Sequence, residues 1–278
     1  MVTKNKKIKP GLYVVSTPIG NLEDISKRSI NILSKSDYVL CEDTRVTVKL
    51  LNYLNIKKRL VSFHAFNESK KADEIIEDLK NNKILSLVSD AGTPTLSDPG
   101  QLIIKRCHEY NIEVIPIPGP SAIISAISVS GFNDNFLFCG FLPKKNKEIE
   151  KYLTKLKLIE ASLVFFFPAR DLEKNSKYFM SFFSDSKFFI AREMTKMHET
   201  YIRDEIINLK KYIKGNEKGE VTFIIQNSIT KDQENIDLEK EIDLLKDKMS
   251  SKDIAEYLSK KLEINKKSIY QKIISLNE

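Results

Sequence analysis

The residues best suited to bind or convert a ligand lie in short polar segments of the first half of the chain. Some combine Gly and Pro with hydroxyl side chains, and others place acids beside Arg, His or Asn. The segments are Ser16–Leu22, Glu42–Arg45, His64–Glu68, Ser89–Pro94 with Asp98–Gly100, and Pro118–Ala122. Ala91 and Gly92 would let main-chain atoms approach a ligand closely, and Asp90 would accept hydrogen bonds from hydroxyl or amino groups. Any one segment could be an ordinary turn, but together they predict a ligand site.

Several familiar site motifs are absent from the sequence. It has no G-x-G-x-x-G and no G-x-x-x-x-G-K-[ST], so a Rossmann dinucleotide site and a P-loop are excluded, and it has no G-x-S-x-G, which disfavours an α/β-hydrolase. We therefore expect a ligand that is not held by its phosphates. The three Cys form no C-x-x-C pair and the three His no H-E-x-x-H, which favours reduced thiols and predicts neither a disulfide framework nor a metal site.

Apolar runs that alternate with helical patterns predict how these segments are positioned. Buried strands are predicted at Leu12–Ser16, Tyr38–Cys41, Leu60–Phe63, Ile84–Ser89 and Val114–Ile117. Helices are predicted between them at Ile25–Leu33, Val46–Leu54, Ala72–Leu79 and Leu102–Tyr110, the last with Asp98 as N-cap residue and Pro99 at its first position. This βαβ alternation predicts an α/β fold with a mostly parallel sheet and helices on both faces. The polar segments then follow the carboxyl ends of the strands, where open α/β sheets bind ligands.

A second α/β unit with mixed strand directions is predicted after Pro120. Its predicted helices are Ala122–Ser130, Ile149–Leu158, Leu172–Phe183 and Ile206–Ile213, and its predicted strands are Phe136–Phe141, Ser162–Phe167, Phe188–Arg192, Glu199–Ile202 and Val221–Gln226. Thr230–Leu245 is interpreted as a linker or a solvated helix, and Ser250–Leu276, with a turn at Ile264–Asn265, as a small helix-turn-helix. We expect domain boundaries of 1–120, 121–229 and 230–278.

Composition narrows the class of protein. Hydrophobic residues make up 41% of the 278 residues and the net charge is +7, which permits an anionic partner such as RNA; a bias toward Lys would explain the charge equally well. The uncharged run Val114–Asn133 is long enough to span a bilayer, but its Pro and Gly residues favour a strand, a turn and a core helix. We expect a soluble cytoplasmic protein without a signal peptide.

The combined motifs resemble the tetrapyrrole-methylase superfamily. The strings Ser16-Thr17-Pro18-Ile19-Gly20-Asn21-Leu22, Glu42-Asp43-Thr44-Arg45 and Ser89-Asp90-Ala91-Gly92-Thr93-Pro94 are together specific, although each alone is weak. Within the superfamily the chain is similar to the ribosomal small subunit methyltransferase I family, the rRNA cytidine-2′-O-methyltransferases. The likeness continues through Gly140–Lys144, Ala191–Lys196 and Lys218–Glu220 to the C-terminal helices, so it covers nearly the full chain.

This resemblance implies two α/β domains with S-adenosylmethionine in the cleft between them, usually in a homodimer. By analogy, residues of the first domain border the cofactor, with Asp90 at its ribose or amino-acid end: Thr17, Pro18, Asp90, Ala91, Gly92, Thr93, Ser121 and Ala122. Residues of the second domain, Phe166, Met194 and Val221, would close over the adenine.

The implied reaction is an in-line methyl transfer that needs no metal and depends on holding donor and acceptor about 3–3.5 Å apart. A ribose hydroxyl is a poor nucleophile, so a nearby base would help. The candidates are Asp43, Glu68 and Glu193, with His64 favoured as a substrate contact. Substrate binding is further expected of Arg45, Asn67, Arg192 and Lys196, the three basic residues as phosphate contacts.

Two alternatives stay open. The chain could methylate a small molecule such as a tetrapyrrole precursor, against which the C-terminal helices count. It could also be a non-catalytic ribosome-binding relative, because the family segment Phe-Tyr-Glu-x-x-His-Arg is here Phe165-Phe166-Phe167-Pro168-Ala169-Arg170-Asp171. The C-terminal helices themselves are expected either to dock RNA or to serve packing.

Overall fold

In the computed structural model, the first half of the chain forms a sheet of five parallel strands. The strands are β1 (Gly11–Val15), β2 (Tyr38–Cys41), β3 (Arg59–Ser62), β4 (Ile84–Val88) and β5 (Val114–Ile117), in the order β3-β2-β4-β1-β5. The predicted strands and their parallel arrangement are confirmed. All five carboxyl ends therefore lie along one edge of the sheet, and the polar segments of the sequence follow them.

Helices cover both faces of this first sheet. They are α1 (Lys27–Lys35), α2 (Thr44–Tyr53), α3 (Glu68–Lys80) and α4 (Gln101–Glu109). Neighbouring strand residues point to opposite faces, so Leu12 packs with α3 and α4 while Tyr13 packs with α1 and α2. The crossovers thus bury a core on each side of the sheet.

The predicted start of α4 is wrong. The helix begins at Gln101, after an N-cap Gly100 with a φ of 124°, and not at Asp98 and Pro99. Ser97 adopts a left-handed backbone with a φ of 71°, which turns the chain away from a helical path before Asp98. The Glu68 carboxylate instead accepts the free N–H groups at the start of the helix, from Leu102 at 2.9 Å and Ile103 at 3.4 Å.

The second half of the chain builds a mixed five-stranded sheet. Its strands are β6 (Phe136–Gly140), β7 (Ala161–Pro168), β8 (Lys187–Arg192), β9 (Thr200–Glu205) and β10 (Glu220–Asn227), in the order β6-β7-β10-β8-β9. In this sheet β6 and β7 are parallel and the other neighbouring strands are antiparallel, which confirms the predicted mixed directions. An aromatic core on one face includes Phe165, Phe179 and Phe223, while α5 (Ala122–Ser130) packs on the other. Helices α6 (Asn146–Leu156) and α7 (Ala169–Phe182) complete this part.

The helix predicted at Ile206–Ile213 is a 3-10 segment, Ile206–Lys211. Its two buried residues, Ile206 and Leu209, are three apart, which matches the three residues per turn of a 3-10 helix. The Tyr212 hydroxyl donates a 2.6 Å hydrogen bond to Asp204 at the end of β9 and fixes the segment against the strand.

The structure describes residues 8–132, 135–213, 218–227, 241–246, 249–262 and 265–276, in two compact units. The larger unit holds both sheets. The smaller contains residues 157–160, a helical stretch at 241–245, and helices α8 (Ser251–Leu262) and α9 (Lys266–Ser275) around a core that includes Ile242, Leu258 and Ile269. Asn265 caps α9, whereas Ile264 and positions 230–240 of the predicted linker, which extends to Leu245, lie outside the described residues. The boundaries at residues 120 and 229 and the helix-turn-helix assignment stay predictions.

The uncharged run from Val114 is confirmed as a strand and a helix. It forms β5 and α5, separated by the turn at Pro118–Ser121. None of the helices in the described ranges offers the roughly 20 apolar residues that a bilayer crossing requires.

Candidate active site

A pocket of about 450 Å³ opens at the carboxyl edge of the first sheet, and the second sheet supplies its other wall. The first-sheet side is formed by loop residues Ile19, Asp90–Thr93, Leu96–Asp98 and Ser121–Ile123. The opposite side is formed by Phe141, Phe166–Pro168, Glu193, Met194, Lys196 and Gly219–Thr222. The volume lies within the roughly 300–1,000 Å³ of small-molecule sites. One wall therefore consists of loop residues that include two carboxylates, and the other combines apolar side chains with Glu193, Lys196 and Glu220.

Hydrogen bonds between loops hold the first wall in place. The main chains of Thr17 and Gly92 bond each other in both directions, at 2.9 and 3.0 Å. The Thr17 hydroxyl also donates to the Ser89 carbonyl at 3.2 Å, and the Thr93 hydroxyl donates to the Pro120 carbonyl at 3.3 Å. The loops after β1, β4 and β5 are thus joined into one rigid surface.

Gly92 gives this surface its open backbone. Its φ is +76°, a conformation that side-chain-bearing residues rarely adopt, and a Cβ here would meet nothing closer than the Ile19 Cγ2 atom at 3.4 Å. The main chain of the β4 loop can therefore come into direct contact with a ligand in the pocket.

Two carboxylates in the pocket wall are partly removed from water. Burial raises the pKa of Asp90 and of Asp98, and the pKa of Glu42, in the loop after β2, is raised by burial and by the charges of Asp90 and Asp98. Asp90 Oδ1 already accepts the Asp43 N–H at 3.0 Å. Two carboxylates at the pocket favour a cation or groups that donate hydrogen bonds.

A charged clasp closes the second wall. The Lys196 ammonium donates to Glu193 Oε1 at 2.9 Å and to Glu220 Oε2 at 3.3 Å, and Glu193 Oε1 also accepts the Glu220 N–H at 2.9 Å. Burial would raise the pKa of Glu193, but these hydrogen bonds outweigh it and the pKa is lowered; the two carboxylates likewise outweigh burial and raise the pKa of Lys196. A Cβ on Gly219 would lie 2.6 Å from the Glu193 Cδ atom, so only glycine leaves room for the clasp.

The clasp also connects the two sheets. The Asn21 N–H, in the loop after β1, donates to the Thr195 hydroxyl at 3.0 Å, within the turn that carries Glu193 and Lys196. Glu193 and Thr195 both have left-handed backbones, with φ of 52° and 65°, which fold this turn tightly back toward the first sheet.

The pocket brings together most of the predicted cofactor residues. The residues that line it are Asp90, Ala91, Gly92, Thr93, Ser121, Ala122, Phe166, Met194 and Val221. Glu193 and Lys196, predicted for catalysis and substrate binding, line it as well. Thr17 and Pro18 are buried behind the wall, where Thr17 supports the Gly92 loop. Sequence reasoning missed Ile19 and Asp98, although both belong to motifs that follow strand ends.

Asp43 and Arg45 lie outside the pocket and pair with each other. Asp43 caps α2, and its carboxylate accepts two bonds from the Arg45 side chain, Nε at 3.0 Å and Nη2 at 2.6 Å. Hydrogen bonds from the Arg45 side chain and backbone lower the pKa of Asp43 to about 2. The Arg45 side chain is 87% exposed, so it still presents its outer N–H groups to solvent.

The His64–Glu68 loop is held by its own polar groups. The Asn67 side chain accepts the His64 N–H at 2.9 Å and donates to the Ser62 carbonyl at 3.1 Å, while Glu68 caps α4. None of these three side chains is among the pocket-lining residues.

Arg192 and Arg170, two further positions singled out in the sequence, lie outside the pocket lining. Arg192 ends β8 opposite Val221 and is not part of the pocket lining. Arg170, where the chain departs from the family pattern, lies in the first turn of α7 with its side chain 77% exposed, whereas Phe167 reaches both the pocket and the aromatic core. The roles of all predicted site residues stay predictions.

The fold is that of a tetrapyrrole methylase. The sequence model of the family described as Tetrapyrrole (Corrin/Porphyrin) Methylases matches residues 11–210. A solved structure of diphthine synthase has the same fold, with a TM-score of 0.61 and 15% identity over 81% of this chain and 93% of that one.

Two relatives with higher sequence identity narrow the family within this class. Ribosomal RNA small subunit methyltransferase I of Thermotoga maritima is 42% identical over 77% of this chain and 97% of its own length. The protein of the same name from Rickettsia prowazekii is 37% identical over 95% of this chain and 96% of its own. The chain belongs to the ribosomal RNA small subunit methyltransferase I family. It is a methyltransferase, and S-adenosylmethionine is its methyl donor.

Proposed function

We propose that the protein methylates the ribose 2′-hydroxyl of a cytidine in 16S rRNA, within the small ribosomal subunit, as a cytoplasmic homodimer. The rRNA substrate follows from the names of relatives that match at up to 42% identity. The observation that carries the chemistry is the pocket, in which the carboxylates of Asp90 and Asp98 on one side face the aromatic and aliphatic side chains of the second sheet on the other. That combination suits a nucleoside with a positively charged sulfur.

The residues present fit S-adenosylmethionine, which supplies an electrophilic methyl group when bound. The absence of a side chain at Gly92 and the turn at Ser121–Ala122 would let it lie directly against the main chain. Asp90 would accept hydrogen bonds from its ribose or amino group. Phe166, Met194 and Val221 would cover the adenine on the apolar side.

Three carboxylates predicted as bases are engaged elsewhere. Asp43 is paired with Arg45, Glu68 caps α4 and Glu193 is held by Lys196. A carboxylate with a lowered pKa is a weak proton acceptor, so Asp43 and Glu193 are poorly suited to the task. We propose that all three orient the loops around the reaction.

Asp98 is better placed to receive the hydroxyl proton. Asp98 lines the pocket, and its partial burial raises its pKa although a hydrogen bond with the Ser89 side chain opposes the shift. Asp90, the other pocket acid of this loop, accepts the Asp43 N–H and is the more exposed of the two. Asp98 would take up the proton that the ribose hydroxyl loses when its oxygen accepts the methyl group.

The substrate side of the proposal uses the outer loops. Arg45, with its exposed side chain, would contact rRNA phosphate, and His64 and Asn67 would face the nucleotide. Arg192 and Lys196 would contribute positive charge from the second sheet. Glu193 and Glu220 neutralise most of the Lys196 charge, so the main role of Lys196 would be to close the pocket.

A map of 2′-O-methyl sites in small-subunit rRNA tests the proposal. In a strain without this gene, one ribose methyl at a cytidine should be absent, and purified protein with S-adenosylmethionine should restore it on isolated small subunits. An unchanged map would refute the rRNA assignment and direct attention to a small-molecule acceptor. Calorimetric binding of the cofactor together with no transfer to the undermethylated subunits would instead favour the non-catalytic reading.

A further inference from the structure

Phe66 is the most exposed large apolar side chain in the described part of the chain, at 95%. Only three residues earlier, Phe63 is fully buried and packs in the core of the first sheet. Burial of a Phe side chain stabilises a fold by about 1.5–3 kcal/mol, and Phe66 contributes none of this. The side chain therefore has no role in packing the fold.

The loop presents Phe66 from a fixed turn. The N–H groups of Asn67 and Glu68 both donate to the His64 carbonyl at 2.9 Å, and the Asn67 side chain bonds the main chain at His64 and Ser62. Below the ring, the His64 imidazole lies edge-on to it, with ring centroids 6.1 Å apart. Because both sides of the turn are anchored, the backbone that carries the ring has little conformational entropy to lose on binding.

The position of the loop relates Phe66 to the pocket. The loop follows β3 at the same edge as the pocket, and β3 lies two strands from β4, which is about 10 Å at 4.7–4.9 Å per strand. The strand between them, β2, is followed by Arg45, whose exposed guanidinium would attract phosphate. An exposed aromatic ring beside an exposed cation is how proteins hold single-stranded nucleic acid, with the ring stacked on a base.

We propose that Phe66 is a stacking platform for an unpaired base of the rRNA next to the methylated nucleotide, with Arg45 on the adjoining phosphate. The inference rests on the proposed rRNA substrate and names a contact for it outside the cofactor pocket. It predicts a role in binding RNA and none in binding S-adenosylmethionine.

The experiment compares four variants on undermethylated small subunits, by equilibrium binding and by steady-state transfer. Base stacking on an aromatic residue gives about 5- to 150-fold in affinity, so Phe66→Ala and Phe66→Leu should raise Kd and KM by that factor. Phe66→Trp should stay near the native values because it keeps a ring for stacking. Tyr110→Ala is the control: Tyr110 is an aromatic residue, 52% exposed, that follows α4 at the opposite edge of the sheet. It should change neither constant.

The outcomes separate this inference from the proposed function. If Phe66→Ala and Phe66→Leu bind and methylate subunits like the native protein, the stacking platform is refuted while the rRNA activity stands. If the native protein binds subunits in a Phe66-dependent way but transfers no methyl group, the platform stands and the proposed function fails. If Phe66→Ala instead changes the oligomeric state on sedimentation while subunit affinity is kept, the ring belongs to a contact between copies of the chain and the inference is overturned.

Discussion

The loops along one edge of the first sheet fall into two kinds. Those after β1, β4 and β5 are tied to one another by hydrogen bonds and line the pocket, with the carboxylates of Asp90 and Asp98 among them. Those after β2 and β3 do not line it: Asp43 pairs with Arg45 while its N–H bonds Asp90, and Glu68 caps α4. Although the two kinds share one edge, the first has the features of a cofactor wall and the second those of a surface for the acceptor.

The largest expected effect follows from removing the proposed proton acceptor on the inner wall. Asp98→Asn should lower kcat by about 10²–10⁴-fold, the usual contribution of a general base. Because Asp98 acts deprotonated and its pKa is raised, native kcat should increase as pH rises through that pKa, and the variant should lack this step. Stopped assays across pH measure this, with calorimetry to show that cofactor affinity is retained. A native-like rate for Asp98→Asn would remove the residue from the mechanism.

A pair of glycine variants tests whether the backbone of the inner wall touches the cofactor. Gly92 and Gly131 both have a positive φ, +76° and +65°, but only Gly92 lines the pocket and a Cβ on Gly131 would meet nothing within 4 Å. Alanine at either position should cost about 1–2 kcal/mol of stability through backbone strain. Only Gly92→Ala should also weaken S-adenosylmethionine, by about tenfold, the loss of roughly 1.4 kcal/mol of binding. Equal cofactor affinities of the two variants would contradict direct backbone contact.

The fold could be predicted from the sequence because its signals are local. Apolar runs of four or five residues, as in β2 and β4, separated by amphipathic helices, define a parallel sheet, and its edge then places the Asp90–Thr93 motif at the pocket. The start of α4 could not be predicted, because Asp98 and Pro99 form a good local helix start. Left-handed residues before them and a cap from Glu68, thirty-odd positions away in sequence, decide the outcome.

Only part of the candidate site could be predicted from the sequence, for a related reason. Residue type shows that Asp43, Glu68 and Glu193 are acids, but their suitability as bases depends on what they already bond. Lys196 lies three residues from Glu193 and could be predicted as its ion-pair partner. The N–H groups of α4 that Glu68 accepts come from a distant part of the chain and could not be predicted. Burial of Asp98 and its place in the pocket likewise depend on packing between two sheets.

A smaller effect is expected from opening the clasp on the second wall. Lys196→Met leaves the Glu193 and Glu220 carboxylates without their cation and should cost about 1–2 kcal/mol of stability. The lowered pKa of Glu193 means that this stabilisation is present above the ordinary value of 4.5 and is lost as pH falls through the lowered one. The difference in Tm between native and variant should therefore shrink in acid. Lys145→Met, which removes an exposed pair with Glu148, should change Tm little at any pH.

The smallest effect is expected from Arg45, in the loop after β2. This variant tests most directly whether the loops after β2 and β3 are separate from the loops that line the pocket. Arg45→Ala removes one phosphate contact, so the salt dependence of subunit binding should fall by about one unit of slope and KM should rise a few-fold. Asp43 still caps α2 through the backbone N–H at position 45, which any residue supplies, so Tm should hardly change. The pKa of Asp43 should rise from about 2 once the guanidinium is gone, because that pairing is the main cause of the shift. Cofactor affinity should be unchanged, since Arg45 does not line the pocket. A loss of S-adenosylmethionine binding in this variant would mean that the outer and inner loops form one site, and the division between cofactor wall and acceptor surface would have to be abandoned.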